Sequence, residues 1–310
     1  MRPMLIATLA LLAQAAAAQS SGRATLDTRA PSEIVAAAPA ADWVAIGAGD
    51  LLVMDLAPDA AGRPRRVVIQ LMPPPFSQGW IANIRTLAKA HWWDGLSVNR
   101  VQDNYVAQWG DASEKKPLPA GLNKPTEAAY VAGSCGHHVC PPPPGFKRTG
   151  VAPYRLVEGV AQGWPLAVDG VQYWPVHCYG MVGVGRNLSP DTGTGAELYA
   201  VIGHAPRHLD RNIALVGRVV EGIEHLSSLP RGTEALGFYK TAGERTPIRS
   251  VRLASELPEA ERPRFQYLST ESATFAAYAD ARANRRDAFF IRPAGGADVC
   301  NVPVPVRRVP

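Results

Sequence analysis

Between Val98 and Asp111 the chain reads VNRVQDNYVAQWGD, and Arg100 stands inside its first apolar run. A guanidinium is planar, permanently charged and rich in N–H donors, so a strand rarely carries one without a partner or a substrate. The chemistry open to it is electrostatic: donors aimed at charge, or at a lone pair that develops during a reaction. On pattern alone Arg100 could equally face solvent. Tyr105 and Tyr199 could be plain strand aromatics, Gln108 could serve the backbone, and His208 beside Pro206 could shape a turn.

The residues needed for covalent, phosphoryl-transfer or redox chemistry do not assemble into a motif. There is no G-x-S-x-G elbow and no phosphate-cradling loop. Gly183-Val184-Gly185 is a fragment of a dinucleotide fingerprint, but Leu188 stands where its third glycine belongs, and no βαβ unit surrounds it. The histidines are dispersed without H-E-x-x-H spacing and read as surface or core-edge residues. His137 and His138 lie between Cys135 and Cys140, yet C-x4-C with adjacent histidines fits no standard zinc site. No metal and no cofactor is expected.

The elements around Arg100 follow from periodicity. Leu51–Leu56 (LLVMDL) and Val67–Leu71 read as two strands joined by a Pro/Gly turn. From Ser77 to Ala90 the spacing becomes helical, with Trp80, Ile81, Ile84, Leu87 and Ala88 on one face. The stretch around Arg100 then gives two further strands. Residues 112–177 break the rhythm with prolines and tryptophans; within them Tyr154–Val160 reads as a short helical piece and Val168–Tyr173 as a hairpin. Met181–Val184, Leu198–Gly203, Ala214–Val219 and Ile248–Leu253 restore the strand pattern. A short helix over Ile223–Leu229 and a tail helix over about Thr270–Asn284 complete it. The segment 19–45 reads as a flexible arm in which Ser32 could cap a short helix over Ile34–Ala38.

Charge is modest, 32 Lys+Arg against 27 Asp+Glu, and scattered, which argues against a nucleic-acid partner. Residues 1–18 have the layout of a signal peptide: Arg2, an apolar core from Met4 to Leu12, and Ala16-Ala17-Ala18 before Gln19. A periplasmic or secreted location follows, with no membrane contact after cleavage and a monomer as the expected state. In an oxidising compartment the four cysteines read as two disulfides, for which three pairings exist. Cys135–Cys140 is favoured because closure over so short a span is easy, leaving Cys178–Cys300 to tie the tail to the middle of the chain.

The Arg100 stretch resembles the strongest signature of the cyclophilin-type peptidyl-prolyl isomerases, commonly FHRVIPGFMVQGGD. Downstream, AELYAVIGHAPRHLDRNIALVGRVVEG is similar to that family's SQFFIT…APHLDGKYTVFGRVVEG, and IANIRTLAKAHWWDG to its VENFLALARSGYYDG. The three occur in the family's order and cover 51–111 and 178–253. The resemblance implies a mainly β fold: a closed antiparallel eight-stranded barrel capped by two helices, over residues 46–255. It would carry a disulfide-stapled insertion at 112–177 and a C-terminal extension, 256–310, with one helix.

The resemblance also implies a peptidyl-prolyl cis-trans isomerase acting on X–Pro bonds of unfolded or loosely folded exported polypeptides. That reaction makes and breaks no covalent bond, so it needs no nucleophile. Its barrier is amide resonance, about 18–20 kcal/mol. By position, Arg100 takes the catalytic role, and Tyr105, Val106, Gln108, Glu197, Tyr199, His208 and Leu209 the substrate-binding ones. Several positions depart from the pattern. Asn99 replaces a histidine, Val98 a phenylalanine, Glu197 a glutamine, Gly183 an asparagine, and Ile213 a commonly polar residue. A catalytically weak or silent peptide-binding chaperone in the same fold is therefore an alternative. A hydrolase or metal enzyme built into the excursion before Cys178 is a third.

Overall fold

Eight apolar segments pair edge to edge until no edge is left, which is how a small antiparallel sheet avoids exposing unpaired backbone. In the computed structural model, which describes residues 27–133, 142–148 and 157–309, these are β1 (Leu51–Leu56), β2 (Arg65–Leu71), β3 (Ser97–Val101), β4 (Val106–Gly110), β5 (Met181–Val184), β6 (Leu198–Val201), β7 (Leu215–Glu221) and β8 (Thr246–Leu253). They close in the order β5-β6-β4-β3-β8-β1-β2-β7, with every pairing antiparallel. The helices are α1 (Pro31–Ala36), α2 (Gln78–Lys89), α3 (Glu224–Ser227) and α4 (Ala273–Ala283). Helix α2 buries the predicted face, Trp80, Ile81, Ile84, Leu87 and Ala88, chiefly against β8 and β7. Helix α3 is a single turn beside β2, shorter than the Ile223–Leu229 span expected, because Pro230 stops it.

Strands β1 and β2 are apolar on both faces, and both faces are covered. Leu52, Met54, Leu56, Val67, Ile69 and Leu71 belong to the main core. Leu51, Val53 and Val68 form a second cluster with Ile46, Ala254 and Phe265. The cover is a three-stranded sheet in which Trp43–Ala45 and Val306–Val309 flank Arg264–Leu268. The N-terminal segment is therefore ordered over its described part, against the expectation of a flexible arm. Helix α1 packs on α4 with Ile34 buried, and Trp43–Ala45 pairs with the tail. Its cap is also not Ser32: Ala30 is the N-cap, and its N–H donates to the Glu33 carboxylate at 2.6 Å.

The insertion contributes a four-stranded meander, Lys147–Arg148, Val157–Ala161, Trp164–Val168 and Tyr173–Pro175. Val157–Ala161 is a strand where a helical piece was expected, because its residues pair one for one with Trp164–Val168 across a tight turn. Gln162 and Gly163 make that turn with φ of 51° and 83°. Arg218 of β7 fastens this hairpin to the barrel. Its guanidinium is buried against the Trp164 ring (4.6 Å) and donates to Gly163 O (2.8 Å) and twice to Gln70 Oε1. Burial pushes its pKa down to about 10, so it stays charged. Cys178 and Cys300 form the expected disulfide. Cys135 and Cys140, their proposed bond, and the leader at 1–18 lie outside the described residues.

Candidate active site

A bulge in the β3–β4 pairing sets the site. Val98 lies opposite Trp109 and Arg100 opposite Gln108, so Asn99 is the extra residue. Gln108 in turn faces Tyr199 on β6, and Tyr199 faces Gly183 on β5. Arg100, Gln108, Tyr199 and Gly183 thus make one row across four strands. The row lies on the outside of the barrel: Val98, Val101, Ala107 and Trp109 belong to the main core, whereas Val106, Tyr199 and Val201 form a separate cluster with Tyr105, Leu209 and Ile213.

Above this row opens a cavity of about 550 Å³. Arg100 and Gln108 line it together with Tyr105, Val106, Tyr199 and Leu209. His208 stands at its edge, stacked on Tyr105 with 6.1 Å between ring centroids. The seven candidate substrate contacts and Arg100 are therefore brought to one place.

The guanidinium of Arg100 is fixed on three edges. Its Nε donates to Leu236 O at 2.7 Å, Nη1 to Gln108 Oε1 at 3.1 Å, and Nη2 to Gln102 Oε1. Its carbon sits 5.7 Å from the Tyr105 ring centroid and 5.3 Å from that of Phe238. Burial lowers its proton affinity, yet an arginine keeps its charge at any working pH. Three of its five N–H groups are engaged, which leaves two for a ligand.

Glu197 occupies the far rim. Its carboxylate accepts the Asp111 backbone N–H at 2.6 Å and the side-chain amides of Asn99 and Gln108. Gln108 is thereby oriented: its amide nitrogen faces Glu197 and its oxygen faces Arg100. Burial pushes the Glu197 carboxyl up, and these hydrogen bonds only partly offset that. Gly110 is required here, since a Cβ on it would lie 1.9 Å from Glu197 Oε1.

Leu236 and Phe238, which cover one side of Arg100, carried no sequence signal; they come from the loop after α3 and meet Arg100 across 136 residues of chain. Leu236 takes a left-handed backbone with φ of 59° and is held by its carbonyl's bond to Arg100. His177 was also missed as anything but a core-edge histidine. It is buried completely, against the Tyr199 hydroxyl.

The site is thus an oriented, charged donor on the outer face of a closed barrel, beside a cavity with an aromatic and aliphatic wall of Tyr105, Val106, Tyr199 and Leu209 and a polar rim. The family model described as cyclophilin type peptidyl-prolyl cis-trans isomerase matches residues 79–255, and the chain belongs to that family. It is an isomerase of the peptidyl-prolyl cis-trans class. Nothing among curated proteins matches. Among solved structures it is similar to the cyclophilin AquaCyp293 from Hirschia baltica, with a TM-score of 0.63 and 20% identity over 86% of this chain and 93% of that one. A Cryptosporidium parvum cyclophilin-type isomerase, solved in the presence of the dipeptide Ala-Pro, aligns with a TM-score of 0.37 and 9% identity, over 65% of this chain and 98% of that one.

Proposed function

We propose that the chain isomerises X–Pro bonds of exported, unfolded or loosely folded polypeptides, and that Arg100 is its catalytic residue. The observation that carries this reading is the guanidinium held on three edges beside a cavity that Tyr105, Val106, Tyr199 and Leu209 wall on one side, with two N–H groups left over. The proline ring enters between Tyr105, Val106, Tyr199 and Leu209, and the free N–H of the Gln108 amide donates to the peptide carbonyl oxygen. As the C–N bond twists, resonance is lost and the nitrogen lone pair localises. The uncommitted Arg100 N–H groups stabilise that lone pair more in the twisted state than in the planar one, which is the condition for catalysis. Glu197 and His208 border the peptide on either side of this point.

Export is supported by the leader-like residues 1–18 and by the Cys178–Cys300 bond, since disulfides persist in oxidising compartments. A folding role for newly exported chains fits that location, and the protein acts there as a monomer. The test uses residues 19–310 and model peptides with several residues before proline. Wild type accelerates isomerisation, and Arg100→Ala lowers kcat/KM by about 10²–10³-fold while keeping its circular dichroism spectrum. No acceleration by wild type on any peptide would leave a binding module. Finding Met1 retained on protein recovered from its native host would refute export.

A further inference from the structure

The Tyr199 hydroxyl begins a buried chain of polar groups that runs from the cavity wall into the insertion. It lies 2.9 Å from Nε2 of His177, whose Nδ1 lies 2.8 Å from Asp210 Oδ1. The same oxygen accepts the His177 backbone N–H at 3.0 Å. Asp210 Oδ2 accepts from Arg207 Nε at 2.6 Å, and Arg207 Nη2 pairs with Glu158 at 2.7 Å. The side chains of His177, Asp210, Arg207 and Glu158 are 1%, 8%, 7% and 3% exposed. Buried polar chains of this kind specify one geometry where their members are matched, as they are from Tyr199 through His177 to Asp210.

The direction of each bond is fixed by chemistry. An ionised carboxylate only accepts, so Nδ1 of His177 carries the hydrogen and Nε2 accepts from the Tyr199 O–H. Burial holds the imidazole below its ordinary pKa, which keeps it neutral, and the His177 and Arg207 contacts outweigh burial in keeping Asp210 ionised. Gly183 belongs to the same device: a Cβ there would lie 2.3 Å from the Tyr199 hydroxyl oxygen. The ring edge and hydroxyl of Tyr199 together fill the space that a side chain at 183 would need.

The chain joins three parts of the molecule. Tyr199 is the wall of the cavity, and its ring lies parallel to the His177 ring, 6.4 Å between centroids. Arg207 and Asp210 bracket the turn that carries His208 and Leu209. His177 and Glu158 belong to the 112–177 insertion.

We propose that His177 is a positioning residue for prolyl isomerisation: one imidazole holds the Tyr199 wall and the Leu209 turn at a fixed separation, so the insertion sets the width of the proline pocket. This rests on the reading of the cavity as a proline site. A pocket wall held by one rigid ring pays for its order at folding and not when substrate arrives.

The test compares wild type, His177→Gln, Tyr199→Phe and the double variant at 10 °C, well below unfolding. Isomerisation kinetics are read beside the affinity for an Ala-Pro peptide by NMR titration. Tyr199→Phe keeps the ring and removes one oxygen, so it remains folded if His177→Gln does not. Each single variant is expected to raise KM and Kd about tenfold, with the loss falling on KM and not on kcat. The double variant should be no worse than the poorer single one, because both cut the same chain. KM and Kd within twofold of wild type in folded Tyr199→Phe, with only the melting temperature lowered, would overturn the proposal. So would additive losses. If wild type binds the peptide without isomerising it, weaker binding by the variants still supports the device while the enzymatic reading falls. If wild type neither binds nor isomerises, both are overturned.

Discussion

Arg100→Lys separates the charge of the guanidinium from its shape. The native side chain reaches Leu236 O at 2.7 Å, Gln108 Oε1 at 3.1 Å and Gln102 Oε1 from three different nitrogens, with the Tyr105 and Phe238 rings close by. An ammonium on a flexible stem cannot satisfy all three acceptors together and has no plane to lay against either ring. Removing a preorganised donor from the point where charge develops costs about 10²–10³-fold in rate, or about 2.7–4 kcal/mol. A retained but unoriented charge should return part of that. Arg100→Lys is therefore expected to fall about 10- to 100-fold below wild type in kcat/KM and to stay above Arg100→Ala. The freed acceptors sit at a half-exposed rim and can rehydrate, so unfolding free energy should change by about 1 kcal/mol or less. The assay follows an Ala-Pro peptide at 10 °C, where the uncatalysed reaction takes minutes, with urea unfolding on the same preparations. Wild-type activity in the lysine variant would show that the oriented fork contributes nothing. Activity equal to that of Arg100→Ala would show the same of the charge.

Two further outcomes follow from groups around the site. The Cys178–Cys300 bond spans 122 residues, and a closed loop of that length removes unfolded-state entropy worth about 4–5 kcal/mol. A Cys178→Ser/Cys300→Ser variant should lose about 2–5 kcal/mol in urea unfolding, and a loss below about 1 kcal/mol would contradict this. Glu197 has a folded pKa raised by burial, so its ionised form costs stability: the cost is absent below the unfolded value, grows as pH rises from there, and is complete above the folded one. Glu197→Gln carries no such charge, and its stability relative to wild type should climb as pH rises above the unfolded value, about 4.3, and then level off. A difference that is flat or falls over that range would refute a raised Glu197.

The barrel was legible because its strands carry their pattern locally. LLVMDL and VVIQL read as strands, and Trp80, Ile81, Ile84 and Leu87 as a helix face, without any partner being known. Those two strands also held a sign that passed unused: runs apolar on both faces need cover on both. What covers them, Trp43–Ala45 with Arg264–Leu268 and Val306–Val309, is built from strands of three to five residues drawn from the two ends of the chain. Segments so short, with arginines among them, have no period to read. The insertion failed differently: Val157–Ala161 is too brief to separate strand from helix until Trp164–Val168 is seen beside it. At the site, pattern alone left the residues of the β3–β4 hairpin open, and only the resemblance of the whole stretch set Arg100, Tyr105 and Gln108 together as candidates. Leu236, Phe238 and His177 were not legible, since their relation to Arg100 or Tyr199 exists only after the chain has closed.

Taken one at a time, the departures from the family pattern look like losses of grip on the peptide. In the structure Asn99 and Glu197 compensate each other, and Gly183 is matched by Tyr199. Asn99 and Glu197 meet: the Asn99 amide donates to the carboxylate, which also takes the Asp111 N–H and fixes the Gln108 amide toward Arg100. A carboxylate offers acceptors for all three donors, which a single amide oxygen could not do as readily. Gly183 and Tyr199 meet as well, since a Cβ at 183 would lie 2.3 Å from both the ring carbon Cζ and the hydroxyl of Tyr199, and His177 takes that hydroxyl's hydrogen. Both pairs lie under or beside the row that carries Arg100, and neither removes a donor from it. Changes of this kind alter what stiffens the pocket and leave the electrostatic element facing the substrate in place, so catalysis should be retained while the preference for neighbouring residues shifts.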